Sequence, residues 1–264
     1  MLDVALLGAT GRMGEAILHA LRSAPDLRLV GALASPRSRV LGRDAGEMAG
    51  GARLGVAVTD DPHVALRDAE VAIDFSVAEA GACHVDACMD RGCALVLGVT
   101  ALDEACTVRL HAAAERIAIV QSPNMSLGIN LCFALAARAA RVLGDCDVEI
   151  VDIHHRHKRD APSGTARRFG ELIAAARGAR RPSDGEPQAV SKDVGYSSLR
   201  MGEIAGEHTV IFANAGERVE ITHRAVGREA FAAGALAAAR WLRARPPGRY
   251  GMHDVLGLEV SMPR

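Results

Sequence analysis

Short apolar runs at residues 4–7, 28–33, 71–75, 94–98 and 117–121 alternate with amphipathic stretches at 12–23, 78–91 and 103–115. Runs of this length read as strands buried on both faces, and the stretches between them as helices laid over a parallel sheet. Pro25 and Gly92 fall where two of these helices should stop. Residues 37–59, rich in Gly and Arg and weakly periodic, predict a loop or short helix.

From residue 126 the pattern changes and predicts a second domain. A long helix at 127–143 leads into an alternating strand at 147–154, a helix at 165–177 and a polar Pro/Gly segment at 179–187. Strands follow at 198–204, 209–213 and 218–223, with short turns such as Asn214-Ala215-Gly216 that favour antiparallel pairing. A helix at 228–242 and a tail at 250–260 close the pattern. The expected fold class is α/β: a Rossmann-type parallel-sheet domain plus a smaller α+β domain with a mixed or antiparallel sheet.

Composition narrows the function. Lys and Arg total 31 against 32 Asp and Glu in 264 residues, so no basic field attracts nucleic acid or a membrane surface. Aromatic residues make up 3%, too few for base-stacking surfaces. No apolar run reaches the roughly 20 residues of a membrane span, and the N-terminus reads as no signal peptide, so a cytoplasmic protein is expected. The cysteines (Cys83, Cys88, Cys93, Cys106, Cys132, Cys146) form no Cys-x-x-Cys pair and read as small buried residues without disulfides.

Gly8-Ala9-Thr10-Gly11-Arg12-Met13-Gly14 follows the first strand and opens the first helix. There glycines allow a tight turn and close backbone approach, and the helix N-terminus offers free N–H groups to a pyrophosphate. The spacing is Gly-x-x-Gly-x-x-Gly, so a purely structural turn is the competing reading. The second strand ends in Ala34-Ser35-Pro36-Arg37-Ser38-Arg39, with no carboxylate before Asp44 to hold the ribose hydroxyls of NADH. Ser35 and Arg37 suit the 2′-phosphate of NADPH. Alternatively these arginines face solvent and both cofactors bind.

His154-His155-Arg156-His157-Lys158 is the densest cluster of titratable groups in the chain, which has 10 histidines in all. Strand alternation sends His154 and His155 to opposite faces if extension persists. Ser163 is a good N-cap, placing the N–H groups of Gly164 and Thr165 at a helix mouth suited to a carboxylate, with Lys158 as a second positive charge. Histidine suits proton delivery in a reduction, and a lysine set among cations suits use as an acid. A metal site is disfavoured by the diverging histidines and the adjacent Lys and Arg. A solvated basic strand end is the bland alternative.

The run from His154 to Ala166, with the glycine turn, resembles the 4-hydroxy-tetrahydrodipicolinate reductase (dihydrodipicolinate reductase) family of the diaminopimelate route to lysine. The likeness extends through Gly98-Val99-Thr100, Pro123-Asn124-Met125-Ser126, Gly206-Glu207-His208-Thr209, Gly216 to His223 and Tyr250 to Leu256. It implies a dinucleotide-binding domain from 1–125 and 236–264, and a substrate-binding domain at 126–235 that also builds a homotetramer. It makes His154 the proton donor or acceptor and Lys158 the acid that protonates the reduced product, with His155, Gly164 and Thr165 binding the dicarboxylate. It places the cofactor on Gly8, Ala9, Thr10, Gly11, Arg12 and Met13, on Gly98, Val99 and Thr100, and on Ser122, Pro123, Asn124 and Met125. Many members carry an acid and then a base where this chain has Ala34-Ser35, and the segment before Ser198 is short.

The expected reaction is hydride transfer from NADPH or NADH to a small cyclic dicarboxylate, with no metal, nucleic acid or membrane involved. Two alternatives stand beside it. A cofactor-sensing regulator would keep the glycine turn but have no use for the His-Lys cluster. An amino-acid semialdehyde reductase would need an activated cysteine, and none here sits in a catalytic-looking loop.

Overall fold

The computed structural model describes residues 1–178 and 194–258; the polar segment expected at 179–187 lies outside them. The described chain forms two compact units, Met1–Leu127 with Arg228–Leu256, and Gly128–Gly227 with the residues from Gly257.

The first unit is a doubly wound sheet. Its strands are β1 (Leu2–Leu7), β2 (Leu27–Leu33), β3 (Val58–Thr59), β4 (Val71–Asp74), β5 (Ala94–Leu97), β6 (Ala118–Gln121) and β11 (Gly248–Tyr250). They lie in the order β11-β6-β5-β4-β1-β2-β3, all parallel. Alternate residues feed two cores: Val4 and Leu6 pack with helices α1 (Arg12–Leu21) and α8 (Glu229–Leu242), while Ala5 and Leu7 pack with α4 (Ala78–Arg91) and α5 (Glu104–Ala114). Burial on both faces is why these strands read as unbroken apolar runs. Helix α8 belongs to this unit over its whole length, because Ala232, Ala235, Leu236 and Ala239 all enter the first core. The return of the chain to this unit therefore begins before residue 236.

Residues 37–59 are less irregular than their composition suggests. They hold α2 (Ala45–Met48) and the strand β3. The loop closes around Asp44, whose carboxylate accepts five N–H groups, from Gly46, Glu47, Leu54, Gly55 and Val56. These bonds, with Leu54 foremost, hold its carboxyl below the usual carboxylate range. A further short helix, α3 (Pro62–Ala65), begins at the Asp61 cap.

The second unit packs α6 (Leu127–Val142, from Gly128 on) and α7 (Gly164–Ala176) against one face of a four-stranded sheet, order β10-β9-β7-β8. Strands β7 (Asp147–His154), β9 (Gly206–Ala213) and β10 (Arg218–Ala225) are antiparallel, but β8 (Val194–Arg200) runs parallel to β7, so the sheet is mixed. Strand β8 also lies earlier than the run at 198–204. Gly202 takes a φ of +52° and turns the chain there, with Met201 N–H donating to His154 C=O at 2.9 Å. Helix α9 (Met252–Val255) closes the described chain in the first unit. Among the described residues, no helix is long and apolar enough to cross a membrane.

Candidate active site

In the first unit, register brings the expected cofactor residues to one edge. Leu33, Leu7, Asp74, Leu97 and Gln121 form a row across β2, β1, β4, β5 and β6. Everything just past that row stands at the carboxyl ends of the strands: Gly8 to Met13, Ser35 and Arg37, Gly98 to Thr100, and Ser122 to Met125. Strand order reverses between β1 and β4, the position where open parallel sheets bind ligands.

The glycine turn is shaped by close approach. Gly8 has a φ of +83°, and a Cβ there would lie 2.9 Å from the backbone of Phe75 and Ser76. A Cβ on Gly14 would collide with Gly8 C=O and Ala9 C=O. Gly11 stands at the N-cap of α1 and, having no side chain, offers its first-turn N–H groups no side-chain cap. Phe75 packs on Gly98, leaving no space for a side chain there. Ser122 Oγ donates to Asn124 C=O at 2.8 Å, and Asn124 Oδ1 accepts from Ser126 N–H, which folds 122–126 locally. Ser35 and Arg37 are exposed, with Ser35 Oγ accepting Arg37 N–H at 3.3 Å.

A trio beside this edge, with Asp74 and His84 buried and Ser76 half-buried, escaped the sequence reading. Asp74 Oδ2 lies 2.8 Å from His84 Nδ1, Ser76 Oγ lies 3.2 Å from the same nitrogen, and Asp74 Oδ1 accepts Ser76 N–H. It braces the β4–α4 turn on which Gly8 rests. Nothing local signals it, since His84 comes from the middle of α4.

In the second unit, strand β7 ends at His154 and the chain turns, with Lys158 N–H donating to His155 C=O. The three imidazoles therefore part: His154 is buried, His155 half-buried and His157 exposed. Lys158 meets a carboxylate rather than another cation, its Nζ lying 2.8 Å from Asp160 Oδ1. That contact pulls the Asp160 carboxyl below its ordinary range. Ser163 caps α7, accepting Ala166 N–H at 3.1 Å. Gly164 is exposed at the mouth, and a Cβ there would meet nothing nearer than Arg167 Nη2 at 4.0 Å. Internal packing does not require glycine at that position, and its bareness leaves the mouth open.

The centre of this site is Asp152, with no exposed surface. Its Oδ2 accepts Ser163 N–H at 2.9 Å, Arg200 Nη2 at 3.0 Å and Ser198 Oγ at 3.3 Å. Its Oδ1 lies 2.6 Å from His154 Nδ1 and 3.5 Å from His208 Nε2, which also contacts Ser163 Oγ at 3.1 Å. Burial alone would raise the Asp152 pKa, but His154, Ser163 and Arg200 outweigh it and hold the carboxyl well below the ordinary range. Burial and the His154 charge push His208 down to about 4, so it is neutral at pH 7. Asp152 was legible in principle, two residues before His154 on one strand face. His208 and Arg200 reach the site by register, opposite Asp152 and His154 respectively.

Asp152, His154 and His208 bring three ligand-type atoms within 4.8 Å of one another. The Arg200 guanidinium already supplies positive charge to that carboxylate, which disfavours a cation there. All six cysteines are free thiols. The Cys88 pKa is raised by its contact with Cys93 and by burial, and those of Cys106 and Cys132 by burial, the reverse of what activates a nucleophile.

A glycine turn at the switch point of a parallel sheet, followed in sequence by an α+β unit bearing buried titratable groups, defines a two-unit protein of the Rossmann class. Residues 2–125 match the family model for the N-terminus of dihydrodipicolinate reductase and residues 128–256 that for its C-terminus. The chain belongs to the dihydrodipicolinate reductase family, and is an oxidoreductase. It is 50% identical to the 4-hydroxy-tetrahydrodipicolinate reductase of Anaeromyxobacter dehalogenans strain 2CP-1, over 98% of each chain. Identity to that of Alkalilimnicola ehrlichii is 49%, over 97% of this chain and 98% of the relative. In fold it is similar to a dipicolinate-bound dihydrodipicolinate reductase from Paenisporosarcina sp. TG-14, with a TM-score of 0.76 at 21% identity over 95% and 97% of the two chains. An amine dehydrogenase from Mycobacterium smegmatis shares the fold at a TM-score of 0.63 and 14% identity, over 100% and 97%.

Proposed function

We infer that this protein reduces 4-hydroxy-tetrahydrodipicolinate to tetrahydrodipicolinate, with loss of water, in the diaminopimelate route to lysine. The observation that carries this reading is the near-full-length identity to reductases of that name. A pyridine nucleotide fits the first unit, where the cradle at Gly8 and Gly14 has no room for a Cβ and the α1 terminus lacks a side-chain cap. When bound it supplies the hydride. Gly8 to Met13 seat its pyrophosphate, and Gly98 to Thr100 with Ser122 to Met125 line the same strand edge.

The second unit binds the dicarboxylate. His155, Lys158 and the N–H groups of Gly164 and Thr165 hold its carboxylates, His154 exchanges a proton with it, and Lys158 protonates the reduced product. Each role keeps one feature of the geometry: His154 touches a buried carboxylate, and the α7 mouth is bare.

NADPH is the preferred cofactor. Ser35 and Arg37 follow β2 without a carboxylate, and Asp44, the next acid in the chain, is taken up by backbone N–H groups and cannot serve ribose hydroxyls. The protein acts in the cytoplasm as a homotetramer built through the second unit. Supporting assembly, the β-sheet face away from α6 and α7 leaves Val151, Ile153 and Ile211 half-buried and Leu199 exposed.

The test is to follow oxidation of NADPH and NADH in parallel with freshly generated 4-hydroxy-tetrahydrodipicolinate. Rapid oxidation with a bias to NADPH supports both readings. Equal dissociation constants for the two nucleotides would remove the preference, and oxidation of neither, with nucleotide bound, would remove the activity.

A further inference from the structure

We propose that Asp152 is a positioning residue for His154: it fixes the ring proton on Nδ1 and leaves Nε2, which faces the glycine at residue 206, to exchange a proton with the substrate. The inference rests on the reductase reading for the role of His154, and on geometry for the rest.

Three donors already occupy Asp152 Oδ2, whereas among the described residues Oδ1 has no aligned hydrogen-bond partner. His154 Nδ1, 2.6 Å away and also without an aligned partner, is the nearest group able to give Oδ1 a proton. A proton on Nδ1 satisfies both buried atoms with a small rotation. A proton on Nε2 instead would set two lone pairs against each other at that distance, where burial removes water as a remedy. His208 does not supply the missing proton as well, because its Nε2 is 3.5 Å from Oδ1 and engaged with Ser163 Oγ. Arg200 keeps the carboxylate charged while leaving Oδ1 to the histidine.

Nε2 then faces Gly206, where a Cβ would lie 3.0 Å from it. Any side chain at 206 would cover the nitrogen that must reach the substrate. In the proton step, a doubly protonated His154 gives its Nε2 proton to the substrate and is left neutral with the proton on Nδ1, while Asp152 stays ionised. Because Asp152 also accepts Ser163 N–H, the same carboxylate sets the position of the α7 mouth at Gly164. Proton donor and carboxylate seat are therefore referenced to one buried group.

The direct test uses the intact protein with ¹⁵N-labelled histidine, the His154 signals being assigned by their loss in His154→Gln. The neutral ring is expected to carry its proton on Nδ1; a proton on Nε2 overturns the proposal. Asp152→Asn is expected to lower kcat about 10²–10⁴-fold and to move the His limb of the pH–rate profile to lower pH, with the NADPH dissociation constant unchanged. Gly206→Ala should lower kcat while the Nδ1 tautomer persists. An Asp152→Asn enzyme with ordinary kcat and profile, beside an inactive His154→Gln, sinks the positioning role alone. Full turnover by His154→Gln sinks the reading of His154 itself.

Discussion

His208 links site chemistry to stability. Its folded pKa of about 4 lies below the ordinary 6.5, so between those values the unfolded chain takes up a proton there that the folded chain refuses. Stability is therefore full above about 6.5 and declines as pH falls toward 4, by roughly 3 kcal/mol over the whole window. Melting temperatures measured across that range should fall on acidification, and His208→Gln should flatten the slope. Lys158→Ala should leave NADPH binding intact, measured by fluorescence titration, and lower turnover about 10²–10⁴-fold. Unchanged turnover would remove Lys158 from the mechanism. At this scale the sequence named His154, Lys158 and the Ser163 cap because they are contiguous. It gave no site role to His208 or Arg200, which strand register brings from some fifty residues away, nor to His84, whose partners lie outside its own helix.

At the scale of elements, the glycine turn is the most constrained. Gly14→Ala places a methyl against the Gly8 and Ala9 carbonyls, so the α1 start must move away from β1. Nucleotide affinity should fall at least tenfold while the second unit, which contains neither residue, keeps its circular-dichroism signature. Wild-type affinity would show that the turn accommodates the methyl. Long apolar or periodic elements were legible: α4 and β7 match the expected bounds, and the parallel sheet follows from two-sided burial. Strand β3 was not, because two residues carry no period and its place depends on pairing with Ala32 and Leu33. Strand β8 was misplaced because Ser-Leu-Arg-Met-Gly-Glu-Ile alternates like a strand, while Gly202 turns and Met201 bonds to the end of β7. Its parallel direction was hidden for the same reason that short turns mislead: they report only the neighbours they join.

For the molecule as a whole, the proposed assembly through the second sheet predicts that Ile211→Glu weakens any tetramer it builds, because a charge would enter a face of Val151, Ile153 and Ile211. Light scattering should show smaller species; an unchanged mass would place the interface elsewhere. In both units a strand leads into a helix start, through four residues from β1 to α1 and through nine from β7 to α7. One is capped by bare Gly11, the other by Ser163 beside exposed Gly164. Both proposed seats would depend on the partial positive charge of a helix start, and that charge does not distinguish a nucleotide phosphate from a substrate carboxylate or a simple oxyanion. Sulfate should then compete with both reactants at once and slow the reaction more than chloride does at equal ionic strength. On that outcome the buffer anion is a hidden third ligand of this enzyme.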